Sequence, residues 1–306
     1  MEDVIAQIKK SVSMLTGELE NFQEIARYIK PAAGETPKLP GIEIYGETIP
    51  LNGIVGGDHI IYVDFNKRYD LDARIQRARE RGWPEVAENL EACRHKAGIV
   101  VADVSGHQIT DAMLAGMLHQ AFLTGIMYEL YHYGKVTWRL FENLNTRFHN
   151  SSSVSKFLTM IYGEISEDGM FRFIDAGHPM PIVFSQEFNR IVDVPETLMT
   201  SFPPIGTLPS EASIDRRTNH SVLGFKEKYE VNKLDLMGAG DIMVLYTDGL
   251  IEHERDGQEY YPGQLEPKLR AVKHLSAGEI WEAIRKDLFA FSKPADDISY
   301  VVIKRL

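Results

Sequence analysis

Four separated places in this 306-residue chain set an aspartate beside small or turn-forming residues: Gly56-Gly57-Asp58, Ala102-Asp103-Val104-Ser105-Gly106, Tyr246-Thr247-Asp248-Gly249 and Asp296-Asp297. Three of them adjoin strongly apolar runs, Ile99 to Val104, Ile242 to Tyr246 and Ile298 to Ile303. An ionised carboxylate next to a buried strand is costly unless it is paired or metal-bound. Converging carboxylates repel one another, and a divalent cation removes that repulsion. Oxygen-only ligation favours Mg²⁺ or Mn²⁺ over zinc. Glycine beside Asp58 and Asp248, and at Gly106 shortly after Asp103, lets the backbone turn sharply and admits a close ligand. A lone Asp-Gly reads as a turn; four such places, three of them at strand ends, read as a site. Their spacing alone names no reaction.

The elements that must carry these residues follow from periodicity. Ile5, Ile8, Val12, Leu15, Leu19 and Phe22 fall at 3-4-3-4-3 spacing, a helix over 1–30 with a narrow coiled-coil-type seam. Pro31 ends it, and residues 31–40 form a Pro-rich linker. The helix either packs on its own domain or serves as a dimer or signalling helix. Strand signals begin at Ile42 and recur at Ile60–Phe65 and 98–104. Between the last two, residues 66–96 are charged and read as one or two helices interrupted at Gly82-Trp83-Pro84. A long helix over 107–133 sets Met113, Met117, Phe122, Ile126 and Leu130 toward a core, and a second covers about 136–149. Strands at 157–165 and 170–175 are joined by the turn Ser166-Glu167-Asp168-Gly169. Further strands are expected at 181–184, 230–236, 241–247 and 298–303, with a helix at 277–291. Hairpins with helices in blocks argue for an α+β layered fold with largely antiparallel sheets.

Composition narrows the classes. The chain is 44% hydrophobic and 25% charged with a formal net charge of -11, so a core is affordable and a nucleic-acid groove or an anionic membrane surface is not expected. No apolar run approaches the ~20 residues of a membrane span, and no secretory pattern opens the chain. The one cysteine, Cys93, excludes an internal disulfide and reads as an inert thiol. A cytoplasmic setting is expected.

The ordered set Gly56-Gly57-Asp58, Val101-Ala102-Asp103-Val104-Ser105-Gly106-His107, Asp175-Ala176-Gly177-His178-Pro179, Gly240-Asp241, Leu245-Tyr246-Thr247-Asp248-Gly249 and Asp296-Asp297-Ile298-Ser299 resembles the protein phosphatase 2C-like metal-dependent family. It looks most like the bacterial branch of the stage II sporulation E and sigma-factor regulatory phosphatases. The likeness runs from about residue 22 to the C-terminus. It implies a four-layer α-β-β-α sandwich of two mainly antiparallel sheets flanked by helices. Residues 1–30 would be a regulatory or dimerisation helix, 31–40 a linker and 41–306 the phosphatase domain, with a helical insert at about 66–96. Two Mn²⁺ or Mg²⁺ ions are implied, with Asp103 bridging them, the Val104 carbonyl as a further ligand, and Asp248 and Asp296 completing the second. Asp58 would hold water, and Asp297 would be an alternate ligand or a support. The implied reaction is hydrolysis of phosphoserine or phosphothreonine by water activated between the ions. The implied substrate is a phosphorylated protein such as an anti-sigma-factor antagonist, with a homodimer possible through the N-terminal helix.

Gln108 departs from the glycine common at that place in the family, which keeps open a phosphatase-like scaffold that binds a partner without turnover. His107 is a candidate general acid, although its position does not match the histidine of the eukaryotic-type enzymes. Asp111 could pair with it or simply favour the first helical turn. His178 reads as structural and His253 as a surface residue. The insert could cover the site, bind a partner or be solvated helix. Of two Leu-Gly-type turns, Ile205-Gly206 and Leu223-Gly224, spacing favours the second.

Overall fold

The computed structural model of the chain describes residues 2–28, 35–51, 56–106, 109–151, 156–195, 199–213, 221, 223–235 and 237–306. Helix α1 (Glu2–Arg27) precedes β1 (Ile42–Ile49) and β2 (His59–Asp64). Helices α2 (Phe65–Arg68), α3 (Leu71–Glu80) and α4 (Pro84–Cys93) lead to β3 (Lys96–Val104). Helices α5 (Ile109–His132) and α6 (Trp138–Ser151) are followed by β4 (Leu158–Ser166), β5 (Phe171–Ala176), β6 (Ile182–Ser185), β7 (Arg190–Val192), β8 (Ser201–Phe202), β9 (Asn232–Leu234) and β10 (Ile242–Tyr246). Then come α7 (Asp248–Ile251), the hairpin β11 (Glu254–Arg255) and β12 (Gln258–Glu259), α8 (Leu265–Val272), α9 (Ala277–Phe291) and β13 (Ile298–Arg305).

One sheet runs β1-β13-β10-β6-β7 and the other β2-β3-β4-β5-β8, with β9 also on β5. Every pairing is antiparallel except β5 with β8. Side chains of a strand alternate between faces, and here both faces are buried. In β13, Val301 and Ile303 enter the core between the sheets, while Ile298, Tyr300 and Val302 meet α8 and α9. In β3, Ile99 and Val101 face the other sheet, while Val100, Ala102 and Val104 meet the helices of the insert and α5. Three cores thus separate four layers, the expected α-β-β-α arrangement.

Local chemistry sets the helix ends. Ser276 and Glu279 form a reciprocal capping box on α9. Asp64 and Asp70 cap α2 and α3, and Pro84 opens α4 at its first turn. Because Asp64 caps a helix, β2 ends before Phe65, where the apolar run suggested a longer strand. The turn between β4 and β5 closes on Gly169 at φ +87°, a conformation glycine alone adopts cheaply.

Several expectations are corrected. Phe122, Ile126 and Leu130 are buried, but Met113 and Met117 are half exposed, 54% and 50%, because α5 is apolar on more than its core face. His253 is buried, its Nε2 lying 2.9 Å from the Leu288 carbonyl and 3.0 Å from Ser292 Oγ, since the β11–β12 hairpin folds against α9. The turn anchored in the domain is Ile205-Gly206: Ile205 is fully buried and exchanges backbone hydrogen bonds with Leu158, and Asn145 accepts from the Gly206 amide. Leu223 is 83% exposed. The segment after it is tied to α6 by Lys226, which donates to Glu142 at 3.1 Å and sits 3.4 Å from the Tyr229 ring centroid. On α1 the seam residues Ile5, Ile8, Val12 and Leu15 are exposed. Among the described residues no helix is long and apolar enough to cross a membrane.

Candidate active site

Antiparallel pairing brings the separated aspartates together. In the β2–β3 ladder His59 faces Ala102, so Asp58, just before β2, lies beside Asp103 near the end of β3. In the β10–β13 ladder Tyr246 faces Tyr300, so Asp248, just after β10, lies near the residues that enter β13, Asp296 and Asp297. Each sheet therefore delivers carboxylates to the same end of the sandwich.

The electrostatics record their convergence. Burial first, and then the charges of Asp248, Asp296 and Asp297, push Asp103 up to about 7. Burial and the neighbouring Asp103 hold Asp58 well above the usual carboxylate range. Asp248 is raised by burial and by Asp296. Glu252, one turn after Asp248, is raised by partial burial and by Asp248 and Asp296, and joins this field although its position in the sequence gave no sign of it.

The framework around the acids is specific. Thr247 Oγ1 donates to Asp58 Oδ2 at 2.7 Å and accepts from the Ser299 amide at 2.9 Å, tying one sheet to the other. Asp297 accepts from the Leu51 amide at 2.6 Å and the Gly57 amide at 2.8 Å, which places it as a brace of the Gly56-Gly57 turn. A Cβ on Gly56 would strike the Asp297 carboxylate, and one on Gly57 would meet the Gly106 and Val104 carbonyls. Thr247 was not singled out from the sequence; a hydroxyl between a buried strand and an Asp-Gly turn was the available sign.

The donor set suits a hard divalent cation: acidic oxygens from Asp58, Asp103, Asp248 and Asp296, whose mutual repulsion only positive charge relieves. As they stand, no three His, Cys, Asp or Glu side chains among the described residues are already arranged around one point as metal ligands. Thr247 and the backbone amides hold Asp58 and Asp297, and Asp296 Oδ1 accepts from the Asp297 amide at 2.7 Å. His107 and Gln108 lie outside the described residues. Asp111, fully buried, pairs with Lys156.

His178 sits in the turn after β5, its amide donating to Asp175 Oδ1 at 2.8 Å and its Nδ1 lying 2.9 Å from Thr159 Oγ1. Burial pulls its ring down to about 3, so it stays neutral. It lines a cleft of about 610 Å³ that opens beside Asp248 and passes Met180, Tyr246 and Tyr261.

The chain is similar to several known proteins. The Bacillus subtilis phosphoserine phosphatase RsbP is 28% identical over 159 residues, which are 52% of this chain and 34% of RsbP. The chain thus spans about a third of the length of that curated relative. The SiaA-PP2C domain of Pseudomonas aeruginosa superposes with a TM-score of 0.64 at 14% identity, covering 96% of this chain and 97% of that one. The PP2C phosphatase domain of SpoIIE from Bacillus subtilis, with a fragment of its regulatory domain, gives 0.60 at 14% identity, covering 87% and 64%. Both share the fold. The stage II sporulation protein E family model matches residues 94–306, from the end of α4 through β3 and every later strand of both sheets. The chain belongs to the stage II sporulation protein E (SpoIIE) family.

Proposed function

We propose that this chain is a metal-dependent protein serine/threonine phosphatase acting on a phosphorylated bacterial signalling protein. The observation that carries this reading is the arrival of Asp58, Asp103, Asp248 and Asp296 from two sheets at one end of the sandwich, with the first three pushed toward protonation. Asp103 would be shared between two Mn²⁺ or Mg²⁺ ions beside the Val104 carbonyl, and Asp248 and Asp296 would complete the second. When bound, the ions supply Lewis acidity that offsets phosphoryl charge and makes water a better nucleophile. Asp58, oriented by Thr247, would hold and align the attacking water. Asp297 would act through the Gly57 turn rather than on the substrate. The Cys93 thiol, pushed up to about 12 by burial, has no part in the chemistry.

The cleft beside Asp248 would receive polypeptide flanking the phosphorylated residue. Family membership favours a phosphorylated antagonist of an anti-sigma factor as the substrate, in the cytoplasm. The exposed seam of α1 supports a homodimer through that helix. A scaffold without turnover is the second reading, and it draws on the open arrangement of the acids. One assay separates the two: hydrolysis of a phosphoserine peptide with Mn²⁺ by the wild type, Asp103→Asn and Asp248→Asn. Equal rates in all three would end the catalytic reading.

A further inference from the structure

The helical insert carries a second constellation. α3, α4 and the last turns of α5 enclose a cleft of about 330 Å³. Ala78, Leu90 and Leu130 give it an apolar floor, and all three are buried. Tyr69, Trp83 and Tyr131 supply rings, and Arg68, Arg74 and Arg77 supply guanidiniums. A helix rises about 1.5 Å per residue, so Leu130 lies roughly 30 Å along α5 from the end that follows the Asp103 loop. The cleft and the acidic cluster are distinct.

In a chain of net charge -11, residues 66–81 hold Lys67, Arg68, Arg74, Arg77, Arg79 and Arg81 against Asp70, Asp72 and Glu80. Two nearby carboxylates, Asp72 and Glu91, are committed to ion pairs elsewhere. Asp72 pairs with Arg94 at 2.6 Å, and Glu91 with Arg94 at 2.8 Å and Arg79 at 3.2 Å. Glu80 accepts from Gln76, and Asp70, which also faces the cleft, accepts from the Ala73 amide at 2.9 Å. Among the described residues, Arg68, Arg74 and Arg77 form no ion pair with a carboxylate, and Arg68 gives only its Nε–H, to the Tyr62 carbonyl at 3.1 Å. Instead Arg74 lies over Tyr69 at 5.4 Å, and the neighbouring Arg81 lies over Trp83 at 5.0 Å and Tyr131 at 5.2 Å. A guanidinium stacked on a ring keeps its N–H edge pointing outward, in a fork that fits phosphate or carboxylate oxygens.

Three guanidiniums against the single carboxylate of Asp70 leave the cleft with a surplus of positive charge, which a phosphate would meet. An apolar floor edged by aromatic rings suits a flat ring system. The volume is at the lower end of the roughly 300–1,000 Å³ typical of small-molecule sites. We propose that this cleft binds a small organic phosphate of the mononucleotide class, with the phosphate on Arg68, Arg74 and Arg77 and the base against Trp83 and Tyr131.

The test is calorimetric titration of the whole chain with AMP and GMP, beside adenosine, inorganic phosphate and a polyglutamate peptide. At least one mononucleotide should bind at least about tenfold more tightly than adenosine or phosphate alone. Arg77→Gln and Trp83→Ala should each weaken it by about tenfold or more, while Asp103→Asn leaves it unchanged. Arg77 is exposed, so its variant should keep the wild-type far-UV spectrum and melting temperature. The proposal is overturned if neither nucleotide binds more tightly than phosphate, or if Arg77→Gln leaves binding intact. Loss of binding in Asp103→Asn would place the ligand at the acidic cluster and also overturn it. Binding of polyglutamate alone would reassign the cleft to an acidic protein partner.

Discussion

Thr247 donates to Asp58 across the interface of the two sheets at 2.7 Å, although 189 residues separate them in the chain. The same hydroxyl accepts from the Ser299 amide, so one oxygen fixes an acid of one sheet to β13, an inner strand of the other. Removing it takes one partner from a buried carboxylate and leaves a buried amide unpaired, and such losses cost about 1–3 kcal/mol.

Thr247→Val should therefore lower stability by about that amount in a denaturant titration, and should reduce Mn²⁺-dependent phosphatase turnover by at least about tenfold. Thr247→Ser restores the hydroxyl and should recover most of the turnover. A valine variant with full activity would remove Asp58 from the proposed machinery.

The pH dependence of the metal-free protein follows from Asp103, pushed up to about 7 by burial and by Asp248, Asp296 and Asp297. A carboxylate raised above its unfolded value of about 3.9 contributes stability that is complete below that value and is lost as pH rises through 7. Asp103→Asn carries no such charge, so its melting temperature should gain on the wild type as pH rises from about 4 to 7. His119 and His178, pulled down by burial to about 4 and about 3, act with the opposite sign and cancel in this comparison. Mn²⁺ should raise the melting temperature of the wild type at pH 7 and do so far less in the variant. A constant gap across that range, or an equal Mn²⁺ effect, would contradict the assignment.

Glu142 accepts from Lys226 at 3.1 Å and from the Tyr229 amide at 2.7 Å, with the lysine side chain almost wholly buried. Glu142→Gln strands that lysine without an opposite charge and should cost about 3 kcal/mol by chemical denaturation. The double variant Glu142→Gln/Lys226→Met removes both charges and should recover much of the loss.

The exposed seam of α1 makes a prediction about mass. Val12→Asp with Leu15→Asp puts charge into the exposed apolar seam proposed as an interface, and should convert the proposed dimer to a monomer by light scattering while leaving turnover on a small phosphoester intact. An unchanged mass would remove the seam from any role in association.

Much of the fold was legible because its strands are buried on both faces and short. The runs at 98–104, 242–246 and 298–303 have few other uses, and the helix expected at 277–291 coincides with α9, whose start the structure shows capped by Ser276 and Glu279. The acidic residues were legible because carboxylates at the ends of such strands are costly without a purpose. Thr247 was not, since its role depends on which strand end lies opposite. Nor was Ile205-Gly206: its burial comes from packing against Leu158 and α6, and local spacing pointed to Leu223 instead. Met113 and Met117 misled because α5 is apolar nearly all round, so periodicity could not choose its inner face.

The acidic set is divided between the sheets, with Asp58 and Asp103 on one and Asp248 and Asp296 on the other. The proposed turnover would then gauge how squarely the two halves of the sandwich face each other. Loosening the middle layer around Ile161 and Val301 would silence the protein while each half kept its own helices, whereas thinning the outer layer beneath α9 would soften the protein with the acids still in step. A site divided in this way would respond to any shift of one half against the other, with every acid left in place.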